Sequence, residues 1–521
     1  MIRTGFVVAI LALVCALPTE GTEALEVQGL PERLWGGDTA EVTVRLKGEP
    51  AQALLRLAWT LTWGGRILRG EIAGVRPGAE HRVSVQLPEV RARVNVSFHV
   101  QAFEGTRQVA ELTRRLELFP AGLFAQYAAA HPDRSVGLVV RGEPGKRLQE
   151  AVPLRWQVLE SPLAVRAFKG AFIVLWSEEA FPGLSAWPDA LLERVRAGTK
   201  VACLGGISTL RRNKPRSALQ VHASEARPLA PGHPLLADLR EGDLARWAPD
   251  GLVGSTVLEA PEDGNYLMLV DLPSDAGPRP LALEQRVGAG RVLYCALPLA
   301  ERLRQEPVAE LMFVNLLRWG SVEHVPPRPA LCLFPGDSPA GKLLRQIGAC
   351  DHESVHAPPH VTIADAGLLL KENREALAKT LKEGGTVLLM CLSREDLPRL
   401  NEVLRERWGR DLHAAVPEVT LEPGRATEDT MAWGNPLLAG VRPEDARALV
   451  RAAGEVALAA QPVSDAEHFV SLINGLVAKY ERDGVQIVFW QAPVQGECAE
   501  PAGRILTALL TNLGIKLGTN D

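Results

Sequence analysis

Apolar and polar residues alternate in short runs from Leu25 to about Pro120. The runs are AEVTVRL, LRLAWTLTW, RVSVQL, RVNVSFHV and RRLELF, broken by turn residues such as Gly64-Gly65. Alternation with period two predicts strands with one buried face, and several such strands in succession predict an immunoglobulin-like β-sandwich over residues 25–120. In LAWTLTW that period puts Leu57, Trp59, Leu61 and Trp63 on one face and Thr60 and Thr62 on the other. The two indoles are therefore expected in the core rather than on a sugar-stacking platform.

Residues 121–134, AGLFAQYAAAHPDR, read as a short helical linker, and beyond them the texture changes. SVGLVV, LRWQVLES, AFIVLWS and KVACLGG read as strands, with helical patterns in GEPGKRLQEAV and in SAWPDALLERVRAG, which ends at Gly198. Strands alternating with helices predict a parallel sheet covered on both faces, in a flavodoxin- or Rossmann-like layout.

The same order then returns. RAGTKVACL from Arg196 matches KEGGTVLLM from Lys382, and GHPLLADLREGD from Gly232 matches GNPLLAGVRPED from Gly434. RVLYCALPL from Arg291 matches QIVFWQAPV from Gln486, each followed by a helix that opens at Glu306-Pro307 or Glu500-Pro501. Landmarks in the same order at nearly constant offset define a tandem duplication of one α/β domain, residues 135–321 and 328–517, joined through VEHVPPRP.

Composition adds limits. The chain is 46% apolar and 23% charged, with a formal net charge of −5 and no basic block, so it can build cores but lacks the electrostatic footprint of a nucleic-acid binder. Residues 1–24, MIRTGFVVAILALVCALPTEGTEA, place one Arg before an apolar run and then small and polar residues, the pattern of a secretory signal peptide cleaved near Ala24. The run from Gly5 to Pro18 is short for a bilayer span, and Val14 before Cys15 is too bulky for a lipoprotein cleavage site. The mature protein is expected in the periplasm or outside the cell, with no membrane span. Cys203, Cys295, Cys332, Cys350, Cys391 and Cys498 include no C-x-x-C pair. They are expected to be mainly buried small hydrophobes, and one disulfide is open to them.

One stretch invites a metal. CDHESVHAPPH, residues 350–360, holds His352, Glu353 and His356 in the H-E-x-x-H spacing of zinc peptidases, with Cys350 and His360 nearby. The duplication decides against it. AGKLLRQIG is the helix of the second copy, with Gly348 as its cap, so ACDHESVHA falls where the first copy has the strand LRWQVLES. On a strand the two His α-carbons stand about 13 Å apart at about 3.3 Å per residue. Zinc needs both imidazole nitrogens at about 2 Å. Pro358 and Pro359 close off a helical alternative. No metal and no cofactor is expected. Asn95-Val96-Ser97 is a formal glycosylation acceptor, Gly205-Gly206 reads as a sheet-edge turn, His233 as a loop residue fixing its turn, and Glu178-Glu179 as a solvated loop.

GHPLLADL from Gly232 and RVGAGRVLYCALPLAERLRQEPVAELMFVNLLRW from Arg286 resemble the class I glutamine-amidotransferase-like domains found as accessory modules in bacterial β-galactosidase-type and related glycoside hydrolases. WTLTWGGRILRGEIAGVRPG, VQLPEV and LELFP are similar to β-sandwich modules of β-mannosidase-like family members. The resemblance covers most of the mature chain and is stronger in the first copy. It leaves no room for the (β/α)8 barrel that carries the catalytic carboxylates of those hydrolases. It also implies where a nucleophile would stand: a Cys at a G-x-C-x-G elbow and a His-Pro-Glu after a late strand. Cys203 lies inside its strand, and Cys391 is nearer the elbow but lacks flanking small residues. The His-Pro-Glu positions read Leu297-Pro298-Leu299 and Ala492-Pro493-Val494. No catalytic residue is expected. The resemblance implies a non-catalytic, carbohydrate-associated binding or assembly module that works beside polysaccharide-degrading enzymes. A hydrolase with a site at the carboxyl edge of either sheet and a cell-envelope protein-interaction scaffold are the alternatives, and oligomeric state is left open.

Overall fold

The structure, a computed structural model, describes residues 25–47, 54–140, 143–176, 186–205, 219–258, 266–274, 279–287, 289–321, 330–335, 337–349, 361–409, 416–423, 431–433, 435–454, 458–515 and 517. The chain forms two compact units, residues 1–122 and 123–521. CDHESVHAPPH, with its His352, Glu353 and His356, lies outside the described residues, as do Glu178, Glu179 and Gly206. Among the described residues no helix is long and apolar enough to cross a membrane.

The first unit is built from β1 (Leu25–Gln28), β2 (Arg33–Trp35), β3 (Thr39–Leu46), β4 (Leu55–Trp63), β5 (Arg66–Val75), β6 (Glu80–Gln86), β7 (Val94–Glu104) and β8 (Arg107–Phe119). One sheet has the order β1-β3-β6 and the other β2-β8-β7-β4-β5; every pair is antiparallel except β2 with β8. Inward residues of both sheets, among them Val42, Val44, Leu57, Leu61, Val85, Phe98 and Leu118, form one core. Trp59 and Trp63 join its margin, as the alternation requires. The Trp59 ring lies over Gly70, where a Cβ would come within 2.4 Å of it, so the glycine makes room for the indole. Asn95 lies on β7 opposite Glu117.

The second unit opens with α1 (Leu123–Ala130) in the segment read as a linker. The first copy follows with β9 (Ser135–Val140), α2 (Glu143–Ala151), β10 (Arg155–Val158), α3 (Pro162–Ala167), β11 (Phe172–Trp176), α4 (Ala186–Arg196) and β12 (Lys200–Leu204). It continues through β13 (Leu219–Ala223), β14 (Arg227–Pro228), β15 (Gly254–Val257), β16 (Tyr266–Asp271), β17 (Pro280–Val287), β18 (Gly290–Cys295) and α5 (Pro307–Ser321). The second copy has β19 (Ala330–Leu333), α6 (Pro339–Gln346), β20 (Val361–Asp365), α7 (Ala366–Glu372), α8 (Arg374–Lys382), β21 (Thr386–Met390) and α9 (Leu397–Trp408). It ends with β22 (Glu418–Pro423), α10 (Pro443–Ala453), β23 (Leu458–Ser464), β24 (Phe469–Ile473), β25 (Val477–Arg482), β26 (Val485–Trp490) and α11 (Ala499–Asn512).

The strand orders are β10-β9-β11-β12-β18-β17-β16-β14 and β19-β20-β21-β26-β25-β24. In the first sheet β10, β9, β11, β12 and β18 run parallel and β17, β16 and β14 extend one side antiparallel; in the second, β19, β20, β21 and β26 run parallel and β25 and β24 extend the corresponding side antiparallel. LRWQVLES supplies β10 beside β9, whereas β19 is an edge among the described residues. FIVLW of β11 and KVACL of β12 are buried throughout. Burial stabilises each large apolar side chain by about 1.5–3 kcal/mol. A shared polar clasp repeats as well. Asn315 donates to Ala237 O at 2.7 Å and Asn512 to Ala439 O at 2.9 Å, each tying the last helix to a Pro-Leu-Leu turn.

The copies meet along a charged seam. Arg442 Nε donates to Asp271 Oδ2 at 2.9 Å, and Arg227 binds Glu444 through two hydrogen bonds of 2.9 Å. Gly440 N donates to Leu229 O at 2.7 Å, and a Cβ on Gly440 would come within 2.5 Å of Leu267. Arg286 reaches from β17 to Thr511 O in the last turn of α11 at 2.8 Å and to Ile515 O just beyond the helix at 3.2 Å, where a cation answers the negative end of the helix.

Candidate functional site

In an open α/β sheet, ligands bind outside the carboxyl ends of the parallel strands. In the first copy the turns after β11 and β12 run into residues 177–185 and 206–218, outside the described set. In the second copy the turns after β20, β21 and β26 are all described, and they surround Cys391.

Aligned through β12 and β21, Cys203 falls opposite Leu389 and Gly205 opposite Cys391. Cys203 is fully buried inside its strand, and burial pushes its thiol far above the usual range. Burial pushes Cys295 up to about 12. Both are core thiols, as the sequence predicts. Cys391 is different: it is exposed and takes φ 59°, in the left-handed region that glycine enters freely and other residues avoid. The missing small neighbours argued against a tight elbow there, yet the turn forms. Tertiary hydrogen bonds hold it. Cys391 N donates to Trp490 O at 3.1 Å, Leu392 N to Gln491 Oε1 at 2.8 Å, and Gln491 Nε2 to Leu392 O at 2.7 Å. Ser393 closes the turn, with N and Oγ donating to Asp396 Oδ2 at 3.2 and 2.5 Å.

The surroundings are acidic. Asp365 ends β20, and its Oδ1 accepts from Leu368 N at 3.0 Å, capping α7. Burial and then the Asp365 charge raise the Cys391 thiol above its ordinary value. A thiolate is the reactive form, so both effects make this sulfur a poor nucleophile. Leu297 and Leu299 are buried after β18, and Ala492 and Val494 after β26, where a His-Pro-Glu would stand. Gln491, at the end of β26, is committed to the backbone of Leu392.

Two further clusters were invisible to sequence patterns. Glu284 is buried, with His233 Nε2 at 3.1 Å, Trp319 Nε1 donating at 2.7 Å and Arg291 Nη1 at 2.7 Å. Burial alone would raise this carboxyl; the bond and charge of His233, the charge of Arg291 and the Trp319 N–H hold it well below the carboxylate range. His233 also accepts from Leu235 N at 3.2 Å, so it fixes its turn as expected. Asp465, Glu467 and His468 come close enough to suggest a metal. Asp465 is already answered by Tyr480 OH at 2.7 Å, Arg482 Nη1 at 2.8 Å and His468 Nδ1 at 2.7 Å, which makes the group an ion-pair node. Cys332 is disulfide-bonded, and Cys203, Cys295, Cys391 and Cys498 are free.

The class defined is a multidomain α/β protein with antiparallel β-sheets at its N-terminus and two mixed, mostly parallel sheets after them. No family model and no curated protein matches the chain. Among solved structures it is distantly similar to the exo-β-1,4-mannosidase Op5Man5 from Opitutaceae bacterium strain TAV5, at 16% identity and TM-score 0.22, over 37% of this chain and 38% of that one. It is also similar to Spo0M, a sporulation control protein from Bacillus subtilis, at 15% identity and TM-score 0.14, over 20% of this chain and 52% of that one. Cwp6 from Clostridium difficile aligns at 9% identity and TM-score 0.14, over 36% of this chain and 38% of that one. The chain thus spans about half or less of each, and no function follows from likeness at this level.

Proposed function

We propose that this chain is an exported, carbohydrate-associated binding or assembly protein whose α/β unit holds a ligand at a sheet edge without transforming it. The observation that carries the reading is Cys391. Its thiol stands on an elbow at the carboxyl edge of a parallel sheet, where a nucleophile would be placed, yet burial and Asp365 keep it protonated and apolar residues take the base positions. A nucleophile needs an adjacent base or a lowered pKa, and this one has the reverse.

The test is a glycan-array screen of the purified full chain, run beside glutaminase and glycosidase assays. Glycan binding without turnover is the expected result. Turnover that disappears in Cys391→Ser would overturn the non-catalytic reading, and failure to retain any glycan would overturn the carbohydrate reading.

A further inference from the structure

His233 is buried and bonded through both ring nitrogens. Leu235 N donates to Nδ1 at 3.2 Å, and Nε2 lies 3.1 Å from Glu284 Oε2. A backbone N–H can only donate, so Nδ1 presents its lone pair, and the single ring proton sits on Nε2 and is given to Glu284. The geometry requires a neutral imidazole in one tautomer.

The second copy makes the same turn with a residue that does not titrate. Asn435 Oδ1 accepts from Leu437 N at 3.0 Å, as His233 Nδ1 accepts from Leu235 N. The backbone bonds correspond as well. His233 N donates to Ala230 O and Asn435 N to Ala432 O, both at 2.8 Å; Leu236 N donates to His233 O and Leu438 N to Asn435 O, both at 2.9 Å. Capping this turn therefore does not need an imidazole. With Arg291 aligned to Gln486, Lys479 stands where Glu284 does, so the buried carboxylate beside the ring is also particular to the first copy.

We propose that His233 is a proton-operated latch on the turn Pro234–Leu236. Histidine changes charge between pH 5 and 8. A second ring proton turns Nδ1 into a donor facing the Leu235 N–H, donor against donor. The imidazolium stays with Glu284 and the turn loses its cap. Asn315 still ties Ala237 O to α5, so the opening is local. The charges around the ring come from every element packed there. Glu284 on β17 favours the imidazolium; Arg291 on β18, bonded to the same carboxylate at 2.7 Å, opposes it, as do Lys200 of β12 and Arg286 of β17, both within reach of the Glu284 charge. On α5, Trp319 gives its N–H to Glu284, and Arg318 donates to Asn315 Oδ1 at 3.1 Å and lies 4.0 Å from Asp238. The cations and the indole are donors, and none can replace Leu235 N as a partner for a protonated Nδ1.

The experiment is hydrogen–deuterium exchange of the full chain at about pH 8 and about pH 5.5, read by mass spectrometry on peptides covering residues 233–239 and 435–441. Rates are divided by those of an unstructured chain at each pH. The first turn is expected to lose about tenfold in protection at the lower pH, the size of one hydrogen bond, and the second to keep its protection. His233→Asn is expected to hold the first turn protected at both pH values, as Asn435 holds the second. Equal protection of the first turn at the two pH values overturns the proposal. So does a loss of the same size in the second turn, which would mark general loosening, or a loss that persists in His233→Asn. The two turns are compared within one unmodified chain, so the result stands even where the variant does not fold.

Discussion

Gly205 and Cys391 occupy the same left-handed turn in the two copies of the α/β domain, with φ of 77° and 59°. The first copy makes the turn with the residue that suits it, and the second makes it with a side chain that strains it. Strain of this kind is of order 1–3 kcal/mol and persists only where surrounding contacts over-determine the backbone. The contacts with Trp490, Gln491 and Asp396 do so here.

Cys391→Gly is therefore expected to be more stable than Cys391→Ala by about 1 kcal/mol, the relief of strain less the extra unfolded-state entropy of glycine. Both variants lose the thiol, so the comparison isolates the backbone. Denaturant titration of the two proteins measures it, and a glycine variant no more stable than the alanine one would mean that the turn is not left-handed.

At the seam between the copies, Asp271→Ala is expected to destabilise the protein by about 1–3 kcal/mol, because buried Arg442 loses its 2.9 Å partner while keeping Asp445 at 3.7 Å, Glu444 at 3.8 Å and Ser274 O at 2.8 Å. Replacing both residues, as Asp271→Leu with Arg442→Met, is expected to cost much less than the two single changes summed. A double-mutant cycle on the unfolding free energy tests this; additive single effects would show that the pair is not coupled.

The seam and the elbow mark where sequence reasoning ends. Short-range periodicity carried the sandwich strands, the core placement of Trp59 and the burial of Cys203, since each follows from which face a residue takes on its own strand. The duplication was legible because its landmarks survive as strings, and the place of LRWQVLES between a helix and the strand AFIVLW was enough to read it as the strand that forms β10. Arg442 and Asp271 are far apart in sequence and carry no local signature. Glu284 lies within an apolar strand pattern, and its partners come from a turn, an adjacent strand and a helix. The left-handed turn at Cys391 is a torsion held by Gln491, a residue just past the end of another strand, β26. Knowing the duplication, one signal was available: Gly205 at the aligned position already marked it.

Two buried carboxyls in the first copy are expected to give the pH profile opposite slopes. Glu284 sits below its ordinary value of 4.5 when folded, so its stabilising contribution is complete above that pH and is lost as pH falls beneath it. Glu310, pushed up to about 7 by burial against a partial offset from Arg304, keeps a proton that the unfolded chain releases above 4.5. Its contribution declines as pH rises from 4.5 to 7. Glu284→Gln is thus expected to flatten the acid limb of stability, and Glu310→Gln to raise stability at pH 8 with little effect at pH 4. Thermal melts from pH 3 to 8 read both, and slopes of the same sign in the two variants would contradict the burial and partners described.

The last prediction concerns the charge beside the elbow. Cys203 and Cys295 are sealed in the sheet, so among the described free thiols Cys391 is expected to react first with iodoacetamide, and Cys391→Ser to remove that phase. Its rate should be low for an exposed cysteine, because burial of the sulfur and the negative charge of Asp365 both raise the thiol. Asp365→Asn deletes the charge and keeps the cap, since Asn accepts the Leu368 N–H as Asp does. The thiol then moves down toward its ordinary value, a larger thiolate fraction is present at pH 8, and labelling speeds up. The rate is measured against pH in both proteins, so that a shifted titration midpoint is separated from altered access. A midpoint that does not move in Asp365→Asn would put Asp365 out of electrostatic reach of the sulfur.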